Sequence, residues 1–588
     1  MGDEARDLND ALTIPSQDTG TTESTNKDQT PSSAGATEQP QPQSESLAHS
    51  LLTRCRVLLS ELDSFKTLLT ETQRNPQIVE IRSLRSNILS ELRTLEKLSA
   101  QLDEAVEAGL SAKLQAGNIT DLDAASKSKL EAQITEEIRV AEESELRVLH
   151  ALKSANLPFY EAVWTIAKRS CSGVVAFGKR FYWETEDKGQ NSKGGNTGKG
   201  KNKDKRKSVL VDIVADDGEE WVKVSTVSET RLLFEMAEKG WEAESEDGNG
   251  EERTVLQNHD CGEDSDLDGD DDEIELLKLA NDMRKAASLV RVDYRQPRLR
   301  FVIPKVEEEK TPEIDDLLNA IRSYGVTVNC GEDVFTSIPS TGGEPQPNGD
   351  APAREEVRNL LPNHFKKFTP TLNVDCTILL AVISDLSHSK EITPSPKHHK
   401  AINRQIEIER EWPLLPTELW QAMKARDLLC TSEAAIRMRE IVETIGTETE
   451  RKRMAVLMGD QFAGGAKSAS LLEELQKLSD YQVPADLKLP IKTVDAKAAM
   501  ESEAKQAKLP LIAQELESIL SNINGSVFMY GWVTGIMTIT SNRTVVKQIE
   551  AMIESHRADE NLETLQGPLI WVCDTARSLI GKEKGRKR

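Results

Sequence analysis

Aromatic side chains are scarce in this sequence, at 4% of residues, and hydrophobic residues of all kinds reach only 37%. A chain so poor in apolar groups cannot be packed core from end to end. Long solvated segments must make up the difference. No apolar run is long enough to span a bilayer, and no apolar leader opens the chain, so neither a membrane anchor nor secretion is expected. The seven cysteines are scattered and form no C-x-x-C pair. That excludes a thiolate zinc module and suits reduced thiols in a cytoplasmic or nuclear protein. A net charge of -25 excludes wholesale coating of nucleic acid and leaves a local basic groove as the route to binding it.

At 588 residues the chain is too long for a single core, and two to about four domains are expected. Residues 1–46, rich in Ser, Thr, Gln, Pro and acids, read as a disordered tail. From there to 156 the pattern is helical. Leu51, Cys55, Leu58, Leu62, Phe65 and Leu69 form one stripe, and a second runs from Ile81 to Leu102 after Asn75-Pro76. A third helix, broken once by Glu145, offers Leu130, Ile134, Ile138, Val148 and Leu152 to the same core. An intramolecular helical bundle over 47–156 is the expectation, because each stripe lasts only about three heptads. A partner-binding coiled coil is the alternative.

Residues 157–340 alternate strand and helix as an α+β domain. Two low-complexity insertions interrupt it and are expected to be disordered, 188–207 (Gly, Lys, Asn) and 242–272 (Asp, Glu, Gly). The first holds Gly198-Lys199 and Gly200-Lys201 without the spacing of a phosphate-binding loop. In the second, Asp264, Asp266, Asp268, Gly269 and Glu275 match EF-hand positions, but no amphipathic helix precedes them, so an acidic linker is favoured over a Ca²⁺ loop. Ser208–Ala215 and Trp221–Ser225, joined through Asp216-Asp217-Gly218, read as a β-hairpin. Asp212 and Lys223 on its strands invite comparison with PD-(D/E)xK nucleases. Trp221 stands where that motif needs an acid, so a solvent-facing Asp–Lys strand pair is expected. Residues 341–353 are a linker.

The last domain, 355–585, alternates strands and helices as an α/β domain with a parallel sheet. Its organising stretch is Thr371–Ser384, nearly all apolar and interrupted by Asp375. A carboxylate there must lie at the strand's carboxyl end or be paired, and that end is where open α/β sheets bind ligands. Asp375 with Thr377 two residues on is therefore a candidate site, with helix capping as the simpler role. A helix is expected over Glu418–Leu428, then one over Glu433–Thr444 capped by Thr431-Ser432 and stopped at Gly446. His388, His398 and His399 lie on a polar loop without the further ligands a zinc ion needs.

Four segments, LNVDCTILLAVIS (372–384), IVETIGTETERKR (441–453), TITSN (538–542) and IWVCDTARSLIGKEK (570–584), together resemble the eukaryotic family that carries the domain of unknown function 1308. VDIVADDGEEWVKV, RLRFVIP and GVTVNCGED are similar to the amino-terminal region of that family. The resemblance implies a PIN-like carboxyl-terminal domain, a fold whose nucleases gather some three or four carboxylates on one or two Mg²⁺ ions. It assigns Asp375, Thr377 and Asn542 to the catalytic edge and Asp375, Glu433 and Glu440 to Mg²⁺. Arg437 stands where the second acid is usual. Met529-Tyr530-Gly531-Trp532 replaces an acid-bearing step, and Asn542 replaces the last acid. Two functions follow as expectations. One is a weak or degenerate Mg²⁺-dependent ribonuclease acting on RNA. The other is a non-catalytic adaptor that holds a protein partner through its helical region.

Overall fold

The computed structural model describes residues 43–73, 79–117, 124–183, 207–240, 273–331, 357–396, 398–460, 468–501, 509–560 and 565–580. Apart from Lys207, the segments 188–207, 242–272 and 341–353 lie outside these residues, as does the EF-hand match except for Glu275. No described helix is long and apolar enough to cross a membrane.

Helix α1 (Gln43–Thr72) starts inside the stretch assigned to the tail, and α2 (Arg82–Gly117) and α3 (Ala124–Lys153) follow it. The stripe of α1 meets Leu84, Ile88, Leu95 and Leu102 of α2 and Val148 and Leu152 of α3. Glu145, the break in the α3 stripe, accepts a 2.7 Å hydrogen bond from Ser44 Oγ on α1. The helices thus pack within one chain.

Next come α4 (Leu157–Ser170), β1 (Ala176–Trp183), β2 (Lys207–Ala215), β3 (Glu220–Val224), α5 (Glu229–Glu238), α6 (Glu275–Ser288), β4 (Arg298–Ile303), α7 (Pro312–Ser323) and β5 (Val326–Cys330). The sheet runs β1-β2-β3-β4-β5, antiparallel through β3 and parallel beyond it. Helices α5 to α7 cover one face. The other face shares its core with the amino-terminal helices, where Trp164 lies 5.9 Å from the Phe65 ring and 5.8 Å from that of Phe177. The core therefore does not divide at residue 156. The hairpin forms as expected, but Asp212 is buried rather than solvent-facing. Its Oδ2 accepts from the Val224 amide (2.8 Å), and Lys223 Nζ donates to Oδ1 (3.2 Å). Both oxygens are occupied, and the nuclease comparison ends there.

The carboxyl-terminal domain is built from β6 (Thr371–Val374), α8 (Cys376–Ile383), α9 (Lys400–Glu411), β7 (Asp427–Thr431), α10 (Ser432–Ile445), α11 (Glu448–Met458), β8 (Lys492–Val494), α12 (Asn522–Thr534), β9 (Met537–Thr540), α13 (Arg543–Glu560) and β10 (Ile570–Val572), with further helices, among them Ser468–Lys477 and Ile512–Ile519, between. The helix expected over Glu418–Leu428 ends at Met423. Ala425 adopts a φ of 59°, which an L-residue cannot hold within a right-handed helix, and Leu428–Cys430 belong to β7. All five strands are parallel, in the order β10-β9-β6-β7-β8. The chain winds from β6 outward to β8, then returns to the opposite side of β6 for β9 and β10.

Candidate functional site at the carboxyl edge of the parallel sheet

Where β6 and β9 lie side by side, their outgoing connections run to opposite sides. This is the topological switch point, the place where open α/β sheets bind their ligands. Asp375 follows β6 directly and Ser541 follows β9. Asn373 sets the approach to the site from below. Fully buried in β6, it donates from Nδ2 to the Val527 carbonyl of α12 (2.8 Å) and to Thr538 Oγ1 of β9 (3.1 Å). Gly531 lets α12 lie this close, since a Cβ there would overlap the Thr538 hydroxyl.

Asp375 is 3% exposed and opens α8 without bonding the amides of its first turn. Its Oδ2 instead accepts two hydroxyls, from Thr377 (2.6 Å) and from Thr540 (2.7 Å). Thr377 Oγ1 accepts in turn from the Ser541 amide (3.0 Å), so the loop after β9 is stitched to the first turn of α8. Sequence reading missed Thr540, although the Thr-x-Thr-Ser pattern at the end of β9 marked a polar strand terminus. Asn542 is not on Asp375. Its amide bonds Thr540 Oγ1 (3.0 Å) and its Oδ1 caps α13 through the Val545 amide (3.4 Å).

On the other side of β6, Thr431 closes β7 and caps α10 through the Ala434 amide, with its hydroxyl 3.1 Å from Ser526 Oγ of α12. That contact fixes the amino-terminal end of α12 at this edge. Trp532, expected where the family has an acid, lies two turns further along α12 in the separate cluster that α12 forms with α13. Glu433, in the first turn of α10, takes a bond from Ser432 Oγ (3.2 Å). Glu440 lies about 10 Å further along the helix axis and is paired with Arg437 at 3.0 Å. Among the described residues no group of three or more His, Cys, Asp or Glu side chains is placed to hold a metal ion. Asp375, Glu433 and Glu440 are thus not gathered into one centre, and the set falls short of the acids that the resemblance implies.

Burial, and then the Asp375 carboxylate, push the thiol of Cys376 up to about 12, while the Arg437 guanidinium is near enough to pull it the other way. On the β9 side Arg543, first residue of α13, pairs with Asp574 just beyond β10.

Fold and site define an α/β domain whose five-stranded sheet is all parallel, with a polar carboxylate-centred cluster at its switch point. Residues 372–462 match the family described as Protein of unknown function (DUF1308). The matched span runs from β6 to the end of α11 and contains Asp375, Thr377, Thr431 and Arg437. No solved structure matches the chain.

Proposed function

We propose that the carboxyl-terminal domain is a PIN-like, degenerate metal-dependent ribonuclease that engages single-stranded RNA and cleaves it slowly or not at all. The observation that supports this reading is Asp375 itself, oriented by two hydroxyls at the switch point and, among the described residues, without two companion acids placed to share a metal ion. A lone carboxylate leaves Mg²⁺ with most of its waters, so binding is weak and cleavage is impaired more than RNA binding. Thr377 and Thr540 hold the carboxylate in one orientation. The test is cleavage of labelled single-stranded RNA in Mg²⁺ and in Mn²⁺ by the wild-type chain and by Asp375→Asn. Slow cleavage abolished by the substitution is the expected result. Robust turnover, or slow turnover that survives it, would overturn the reading.

A second reading, a non-catalytic adaptor, is favoured by Leu110, Leu114, Val140 and Leu146, large side chains left exposed on the α2–α3 arm. Complete inactivity together with unfolding of the Asp375→Asn variant would transfer the case to it.

A further inference from the structure

Arg437 and Arg543 lie on the helices that leave the two strands beside β6, and neither has a place in a centre built to hold a cation. Arg437 lies about a turn and a half into α10, which leaves the sheet from β7. Arg543 opens α13, which leaves from β9. Strands β7 and β9 are the two neighbours of β6, so the two helices that carry these arginines begin on either side of it. Both side chains are more than half exposed, and the carboxylates that pair with them, Glu440 and Asp574, are exposed to a similar degree. Exposed ion pairs of this kind contribute little and exchange readily for a better anion. Three helices of eight residues or more, α8, α10 and α13, also begin at this edge and direct the positive ends of their dipoles toward it.

We infer that this edge holds a phosphodiester of single-stranded RNA directly, through Arg437 and Arg543, without a metal ion between protein and phosphate. Arginine presents a planar fork of donors that matches two phosphate oxygens, which suits it to this contact where a carboxylate would require a bridging cation. Asp375, its Oδ2 engaged by Thr377 and Thr540, then orients hydroxyls of the site, and the hold on RNA does not depend on the Mg²⁺ it binds weakly. The inference rests on the RNA reading above, and it makes the binding independent of divalent ions.

The test is fluorescence anisotropy of a labelled single-stranded RNA with the full chain, in EDTA and in Mg²⁺. Equal affinity in the two buffers is expected. Arg437→Ala and Arg543→Ala should each weaken binding roughly tenfold and lower the slope of log affinity against log salt by about 0.7. Glu440→Gln, which frees Arg437, should strengthen binding. A purely structural role for Arg437 would produce neither the slope change nor the gain. Binding that requires Mg²⁺ would overturn this inference and leave the RNA reading intact. Binding in EDTA that ignores both arginine substitutions would place the RNA elsewhere and also overturn it. Absence of RNA binding in both buffers would remove the RNA reading, and this inference with it.

Discussion

Asp375 combines two roles that sequence reading kept apart, since it is both the candidate functional carboxylate and a buried acceptor for two hydroxyls. As a rim carboxylate it would add little to stability. Buried, it does more. Asp375→Ala leaves the Thr377 and Thr540 hydroxyls without their acceptor and should cost about 1–3 kcal/mol, whereas Asp375→Asn keeps an acceptor oxygen and should cost less. Urea unfolding of the two variants measures the difference. His388 shows the same principle through pH. Its Nε2 lies 2.6 Å from the Val382 carbonyl and must carry the proton, which leaves Nδ1 bare in the neutral ring. Burial, and then the Arg453 charge, lower its pKa from 6.5 to about 3. Between those values the unfolded chain binds a proton that the folded chain refuses, so stability falls as pH drops from about 6.5 toward 3. His388→Gln should flatten that limb, read as urea midpoints across a pH series.

At the scale of elements, the segment around IGTETERKR is structural. Thr447 and Glu450 form a capping box at the start of α11. The same Glu450 accepts from the amides of Asp385 (3.2 Å) and Ile580 (3.2 Å), joining three segments of the domain. Burial opposes ionisation of Asp385, yet the hydroxyls of Thr447 and Thr449 and the Arg453 guanidinium hold its carboxyl below the usual range. Thr447→Ala should cost about 1–2 kcal/mol, in the range of lost amino-terminal caps. The stretch after β10 is pinned onto α9 and its neighbours. Thr575 Oγ1 donates to Glu418 (2.8 Å), and Arg577 Nε lies 2.7 Å from Glu409 in a pair whose side chains are 2% and 5% exposed. Arg577→Ala removes the guanidinium from the buried Glu409 carboxylate and should cost about 3–5 kcal/mol, well beyond the cap, in the same unfolding measurement.

Over the whole molecule, the central and carboxyl-terminal domains keep separate cores but are latched together. The turn Val292–Arg295 enters the second domain, where Arg557 Nη2 donates to the Tyr294 carbonyl (3.1 Å) and to that of Leu565 (2.6 Å). Gly567 makes room for the Tyr294 ring, which a Cβ at that position would overlap. Lys366 pairs with Asp216 and Lys367 with Glu219 and Asp293 beside this joint. Gly567→Ala should loosen the joint while both domains stay folded. Hydrogen exchange should then quicken at 291–297 and 549–557, with the β6 and β4 amides still protected. Unchanged exchange at the joint would show that the ring finds another seat.

Much of this was legible from residues close together in the chain. The stripes of α1 and α2, the hairpin at Asp216-Asp217-Gly218, the Thr431 cap, the Gly446 stop and the strand ending at Asp375 all follow from period, capping and turn chemistry. Each acts over a few residues, so each is written locally. Strands β7 and β8, with five and three residues, are too short for a period to announce them, and β7 was taken partly for helix. Partnership at the site is non-local. Thr540 lies 165 residues from Asp375, and only the return of the chain to the far side of β6 brings them within hydrogen-bonding distance. The same winding places Arg437 and Arg543 on helices that leave opposite neighbours of β6. Sequence by itself determined which side chains stand at strand ends, because strand ends are local. Tertiary structure decided which ends are neighbours, because strand order is set by how helices cover the two faces of a sheet.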